Sequence, residues 1–143
     1  MRISQIADAI EQIAPLALAQ EWDNVGFLVG DADKPVKTIL ITIDTTMAVV
    51  EEAQRHKADL ILAYHPVIWD GLKRVTAGGE SANVYELIRS GIGVFSIHTA
   101  LDVAPGGVND ALAAILGIAD PAPIGDFVAD PAGPQYKVMT FVP

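Results

Sequence analysis

The sequence contains no cysteine among its 143 residues. This absence excludes disulfide bonds, thiolate zinc sites, iron–sulfur clusters and cysteine nucleophiles. Any metal ion in the protein would therefore be held by His, Asp, Glu or backbone oxygen. Such ligands favour a hard or borderline divalent cation, and Zn, Fe, Mn, Co and Ni are the candidates.

Basic side chains are scarce, with 9 Lys and Arg against 18 Asp and Glu and a net charge of −9. A chain this acidic lacks the positive surface that nucleic-acid phosphates and anionic membranes attract, so we expect neither as a direct partner. No apolar run approaches the roughly 20 residues that span a bilayer. The N-terminal segment carries Asp8 and Glu11 and does not have the pattern of a signal peptide. We therefore expect a cytoplasmic protein.

The hydrophobic pattern predicts an α/β domain. One buried stripe of an amphipathic helix is predicted by the spacing of Ile3, Ile6, Ala7, Ile10, Ile13 and Ala14. Short apolar segments that alternate with helical segments predict a layered sheet, largely parallel or mixed, flanked by helices. The predicted strands are 25–30, 37–43 (a buried strand), 59–63 and 93–97, the later predicted helices are one after residue 45, 80–90 and 108–116, and 99–107 is predicted to be a loop.

The end of the sequence has a different composition from the rest. Residues 120–134 are rich in Pro, Ala, Gly and Asp, which is typical of a linker, and 136–143 has the pattern of a strand. We therefore expect one domain over 1–119 and, over 120–143, a linker and the start of a following domain. On this interpretation the chain is a truncated form of a longer protein.

Polar side chains follow three of the predicted strands. Asp44, His65 and His98 each come directly after an apolar segment, and Asp102 lies four residues beyond His98. The carboxyl ends of parallel strands meet at one edge of a sheet, so we expect these groups to lie close together. Two imidazoles and a carboxylate suit a divalent metal ion, which would lower the pKa of a bound water to roughly 7 and support hydrolysis.

Each of these residues also has an ordinary structural interpretation. A histidine at the end of a strand commonly bonds to a backbone carbonyl or caps a helix. For Asp44 the helix cap is the favoured interpretation, and Asp102 taken alone fits an Asx turn before Pro105. Tyr64 could donate a hydrogen bond to a bound water or substrate, and Trp69 could wall a pocket.

Three segments taken together resemble the Nif-three-like family, whose members are often labelled GTP cyclohydrolase I type II. They are 21–26 (EWDNVG), 64–69 (YHPVIW) and 98–102 (HTALD) followed by 106–110 (GGVND). The resemblance implies an α/β fold with a site for up to two divalent metal ions. It also implies a ring-like homo-oligomer, a trimer or hexamer.

The resemblance also assigns roles by position. His65 and Asp102 match metal ligands, His98 matches an imidazole lining the same cavity, and Tyr64 stands where the family usually has a second histidine. The family supplies a further His and Glu from its C-terminal half. This chain has no such pair, because its last histidine is His98 and its last glutamate is Glu86.

The expected function is that of a metal-dependent hydrolase of the cyclohydrolase type, acting on a small molecule or nucleotide. His65, Asp102 and His98 would hold the metal ion, and Tyr64 and His98 would act as the catalytic residues that handle protons. The alternative is a non-catalytic metal-binding or protein-interaction module, inactive because the C-terminal ligands are missing.

Overall fold

The computed structural model describes residues 1–122, which form a four-stranded sheet with helices on both faces. This architecture confirms the predicted α/β fold. None of the helices in this range has the length and apolar composition needed to cross a bilayer. Most of the predicted linker and the strand-like segment after it lie outside the described residues. The elements are α1 (Ile3–Ile13), β1 (Gly26–Val29), β2 (Ile39–Thr42), α2 (Met47–Arg55), β3 (Leu60–Ala63), α3 (Ala82–Ser90), β4 (Gly93–Ser96), α4 (His98–Val103) and α5 (Val108–Ile115), with short 3-10 turns at Leu16–Leu18 and Gly79–Ser81.

The sheet is mixed, with strand order β1-β4-β3-β2. Strands β2, β3 and β4 are parallel, and β1 runs antiparallel to β4. The carboxyl ends of the three parallel strands therefore lie at the same edge. Asp44, His65 and His98 follow those three ends, as the sequence predicted.

Helices α2 and α3 contribute to the core on one face of the sheet. Val50 and Leu87, one from each helix, are fully buried in the same cluster as Ile61 and Val94. The hydroxyl of Thr46 accepts a hydrogen bond of 3.4 Å from the Val49 N–H and so caps the start of α2.

Helix α1 covers the other face. Ile3, Ile6 and Ile10 pack in one cluster with residues of β3 and β4. The prediction that Ile13 shares this buried stripe was wrong, since its side chain is 67% exposed. Ala14, which the same spacing placed on the stripe, is fully buried as predicted.

Strand β2 lies at an edge of the sheet that residues 1–122 form. The prediction that it is a buried strand was wrong. Ile39 and Ile41 pair in register with Leu60 and Leu62 of β3. The side chains of all four residues therefore lie on the same face of the sheet, which α1 covers over β3 and β4. In residues 1–122 that cover stops short of β2, and Ile41 is 77% exposed. Together with the exposed Ile43, these side chains form an apolar surface, which we name the isoleucine strip (Ile39, Ile41 and Ile43).

The predicted loop over 99–107 is also wrong in part, because α4 occupies His98–Val103. The helix ends before Pro105, and α5 begins after Gly107. A Cβ atom at Gly107 would lie 1.8 Å from the carbonyl oxygen of Leu101. Only glycine therefore allows α4 and α5 to approach this closely.

Candidate functional site

The candidate residues gather at the carboxyl edge of the parallel strands. The ring centroids of His65 and His98 lie 5.1 Å apart. The ring of Tyr64 lies 4.9 Å from that of His65 and 5.2 Å from that of His98. Its hydroxyl donates a hydrogen bond of 2.6 Å to Oδ1 of Asp102 on α4. The structure thus brings His65, His98, Asp102 and Tyr64 together, and their chemical roles stay predictions.

Backbone hydrogen bonds extend the sheet ladder past the strand ends and hold these residues in place. The N–H of His65 donates to the carbonyl of Ile43 over 2.9 Å, and the N–H of His98 donates to the carbonyl of Tyr64 over 3.0 Å. The Ser96 hydroxyl donates to the same Tyr64 carbonyl over 2.8 Å. Both histidines are therefore fixed by the sheet itself, which is a more rigid support than a free loop.

His65 is paired with a carboxylate. Its Nδ1 lies 2.7 Å from Oδ1 of Asp44. The favoured interpretation of Asp44 as a helix cap was wrong, because Thr46 caps α2 and the Asp44 side chain contacts His65 instead. A carboxylate accepts hydrogen bonds, so Nδ1 carries the proton and Nε2 is left as the basic nitrogen of the ring.

His98 is paired in the same way with a buried carboxylate. Its Nδ1 lies 3.0 Å from both oxygens of Asp23, whose side chain is fully buried. The backbone N–H and the hydroxyl of Thr99 also donate to Asp23. Burial on its own would raise the pKa of Asp23, but the hydrogen bonds from His98 and Thr99 outweigh it and leave that pKa below its ordinary value. Asp23 is therefore an ionised group that orients His98.

Sequence reasoning missed Asp23 as a member of the site. It lies 75 residues before His98, in the loop ahead of β1, and no predicted strand end placed it there. The only signal was its position inside the segment 21–26 that carries the family resemblance.

The Tyr64 hydroxyl keeps its proton at neutral pH. Burial first, and then the hydrogen bond to the Asp102 carboxylate, raise the pKa of Tyr64 well above its usual value. The hydroxyl was predicted to donate to a bound water or substrate, and in this structure it donates to Asp102. Asp102 itself lies on α4 and does not form the Asx turn that was its alternative.

Two tryptophans flank the histidines. The ring of Trp69 lies 5.2 Å from that of His98, and the ring of Trp22 lies 6.1 Å from it, both in edge-on arrangements. The side-chain amide of Asn24 donates to the carbonyl of Ile68 over 2.6 Å. This bond joins the segment that carries Trp22 to the segment that carries Trp69.

The donor types at this edge suit a divalent cation. Metal-binding histidines commonly donate one ring N–H to a carboxylate, which raises the basicity of the other nitrogen, and both His65 and His98 are held in this way. Within residues 1–122, however, no three His, Asp or Glu side chains converge closely enough to hold a metal ion. The described residues alone therefore do not form a complete metal site.

Comparison with known proteins places this geometry in a family. Residues 1–138 match the sequence profile of Duf34/NIF3 (NGG1p interacting factor 3). Over 143 residues the chain is 36% identical to a GTP cyclohydrolase 1 type 2 homolog of Staphylococcus epidermidis, and the match covers all of this chain and 38% of the relative. The chain therefore spans well under half the length of that relative.

Solved structures agree with this assignment. A Bacillus cereus protein related to NIF3 is similar with a TM-score of 0.79 and 36% identity, over 84% of this chain and 34% of that one. The reduced HcgD protein of Methanocaldococcus jannaschii is similar with a TM-score of 0.81 and 34% identity, over 88% of this chain and 51% of that one. Sequence profile and fold agree, and the chain belongs to the Duf34/NIF3 family.

Proposed function

We propose that this protein is a divalent-metal-dependent hydrolase of the cyclohydrolase type. The observation that carries the proposal is the pairing of both histidines with carboxylates through Nδ1. The two rings lie 5.1 Å apart, and each has Nε2 as its remaining basic nitrogen. This arrangement is typical of imidazoles prepared to bind a metal ion.

His65 and His98 would hold the ion through Nε2, and Asp102 is the carboxylate predicted to join them. Because these three side chains do not converge closely enough within residues 1–122, binding would need further ligands. Nitrogen and oxygen donors without thiolate suit Zn, Fe, Mn, Co or Ni, with up to two ions in an intact family member. Such an ion would lower the pKa of a bound water to roughly 7, so that hydroxide would be available for hydrolysis at neutral pH.

Tyr64 and His98, the predicted catalytic residues, make hydrogen bonds that favour an orienting role. Tyr64 retains its proton at neutral pH and is therefore a hydrogen-bond donor that orients Asp102. His98 holds its Nδ1 proton against the ionised Asp23, which fixes the tautomer of the ring. These two groups would set the orientation of the ligands around the reacting water.

The names of relatives guide the choice of substrate. The Staphylococcus epidermidis and Bacillus subtilis relatives are both named GTP cyclohydrolase 1 type 2 homolog. We therefore propose a nucleotide or a similar small molecule as substrate, with water added across a carbon–nitrogen bond of its ring. A cytoplasmic location and a trimeric or hexameric assembly belong to the same proposal.

Metal content and turnover test the proposal together. Purified protein is incubated with Zn²⁺ or Mn²⁺, desalted and analysed for metal per chain, and GTP turnover is then measured. We expect wild type to retain metal, and His65→Ala and His98→Ala to lose it. His56→Ala is the matched control, because this third histidine lies at the end of α2 and away from the site. Equal GTP turnover in wild type and His65→Ala would refute the proposal that the protein is a hydrolase.

One observation favours a second candidate, a non-catalytic metal-binding or interaction module. No three metal-ligating side chains converge within residues 1–122. Metal that is retained by wild type and lost in His65→Ala, with no GTP turnover in either protein, would support this module over the enzyme.

A further inference from the structure

His98 lies at the centre of a group of four rings. The rings of Tyr64, His65 and Trp69 lie within 5.2 Å of the His98 ring, and Trp22 completes the group at 6.1 Å. The two indoles are largely exposed, with 66% of Trp22 and 53% of Trp69 accessible to solvent. Tryptophan is usually well buried, so two exposed indoles beside one buried histidine need an explanation.

The segments that carry the two indoles are held together by hydrogen bonds. Asn24 fixes the carbonyl of Ile68 beside Trp69, and Asp23 fixes His98 and Thr99 beside Trp22. The Gln20 N–H donates to the Thr99 hydroxyl over 3.0 Å, which holds the other side of Trp22. The backbone segments that carry the two indoles are therefore held in place beside His98, which reduces the entropy lost when a ligand binds.

We propose that Trp22 and Trp69 bind the planar heteroaromatic ring of the substrate over His98. The inference rests on the proposed function and names the part of the substrate that this site recognises. Indole faces stack with flat nitrogen heterocycles whatever their substituents, because every such ring has a π-face. The carboxylates of Asp23, Asp44 and Asp102 are each hydrogen-bonded to one of these rings, and their negative charge favours an uncharged base over a phosphate beside the indoles.

The sequence provides a direct probe of this binding, because Trp22 and Trp69 are its only two tryptophans. Inosine supplies an uncharged purine ring and absorbs little of the light that excites indole, and ribose is the non-planar control. We expect inosine to change tryptophan emission in a saturable manner and ribose to leave it unchanged. Emission that stays unchanged up to about 10 mM inosine, or that responds equally to ribose, would overturn the proposal.

Variants assign the binding to the two indoles. Equilibrium dialysis with labelled inosine is used, because the substitutions themselves alter emission. Trp22→Leu and Trp69→Leu should each weaken binding about tenfold, and Trp69→Phe should restore part of the affinity by keeping an aromatic face. Ile41→Ala is the control, since it removes an exposed apolar side chain on β2. Unchanged affinity in both leucine variants would sink the inference.

Metal content separates this inference from the proposed function. Both leucine variants should retain metal as wild type does, because neither indole supplies a metal ligand. If the protein retains metal but does not bind inosine, the proposed ring-binding site at the two indoles is refuted and the proposed hydrolase is not. Inosine binding by a protein that takes up no metal would instead overturn the hydrolase and leave the ring site standing.

Discussion

The hydroxyl of Tyr64 and the carboxylate of Asp102 are joined by a hydrogen bond of 2.6 Å that connects the end of β3 to helix α4. The bond is partly buried and links two of the residues that the sequence had singled out. The hydroxyl oxygen is the only polar atom of the Tyr64 side chain, and this hydrogen bond gives it a partner. The phenol therefore supports Asp102, and its loss removes the hydrogen-bond donor to that carboxylate that residues 1–122 provide.

Tyr64→Phe should lower the free energy of unfolding by about 1–2 kcal/mol, because it removes a hydrogen bond to a charged acceptor. Metal affinity should also fall, since Asp102 loses the group that orients it. Urea denaturation and a metal titration measure the two effects. Tyr85→Phe, in the middle of α3, removes a hydroxyl outside the site and is the control. Identical stability of the two variants would contradict this role for Tyr64.

Asp23→Asn should weaken metal binding roughly 10- to 100-fold by releasing the orientation of His98. The amide keeps the shape of the side chain, but it places an N–H donor where His98 and Thr99 both need an acceptor. Asp44→Asn is the comparison, because it alters the partner of the more exposed His65 and should have the smaller effect. Metal titration gives the affinities, and imidazole nitrogen NMR reports the tautomer of His98. An unaltered His98 spectrum in Asp23→Asn would count against the positioning role.

Asp59 should make the stability of the domain depend on acid pH. Its carboxylate accepts hydrogen bonds from the backbone N–H groups of Lys37, at 2.8 Å, and Thr38, at 3.2 Å, and it also pairs with Lys34. The Lys37 bond is the main reason that the pKa of Asp59 lies below its ordinary value of 3.8, and burial offsets only part of the effect. The folded state therefore holds the ionised form more tightly than the unfolded state does.

The sign of this dependence follows from linkage. The stabilisation is fully present above about pH 4 and is lost as the pH falls from 3.8 through the lower pKa of the folded state. Unfolding curves between pH 2 and 6, roughly the range in which carboxylates titrate, should show this loss in wild type and a flatter profile in Asp59→Asn. Asp33→Asn removes the same charge from an exposed pair with Arg2 and controls for net charge. A wild-type slope that persists in Asp59→Asn would refute the assignment.

Gly107→Ala should destabilise the domain by at least about 2 kcal/mol, because the added methyl group would overlap the carbonyl oxygen of Leu101. Helix α4 carries His98 and Asp102, so metal content should fall in the same variant. Gly78→Ala is the control, as nothing lies within 4 Å of a Cβ at that position. Thermal unfolding of the two variants decides the matter, and equal melting temperatures would show that α4 and α5 can separate freely.

Local sequence pattern was enough to predict most of the helices and strands, and to predict that His65 and His98 lie at the same edge of the sheet. The buried positions of α1 and the end of α3 at Gly91 each depend on neighbours within a few residues. The placement of His65 and His98 at one edge followed from the parallel order of their strands. These features are set by periodicity and topology, which a sequence carries directly.

Features that depend on distant contacts could not be predicted from the same patterns. The exposure of Ile41 depends on which strand lies at the edge, and an apolar run is alike in a central and an edge strand. Helix α4 has only six residues and precedes Pro105 and two glycines, so its local sequence resembled a loop. The partners of His65 and His98 lie 21 and 75 residues away in the chain, beyond the reach of any spacing rule.

The isoleucine strip on β2 has a practical consequence for anyone who handles the protein. Within residues 1–122, β2 is an edge strand that offers unpaired backbone groups, and it also carries an apolar face with Ile41 77% exposed. Both features promote contact between neighbouring molecules, and that contact grows with the number of molecules per volume. Aggregation of the purified protein should therefore increase with its concentration.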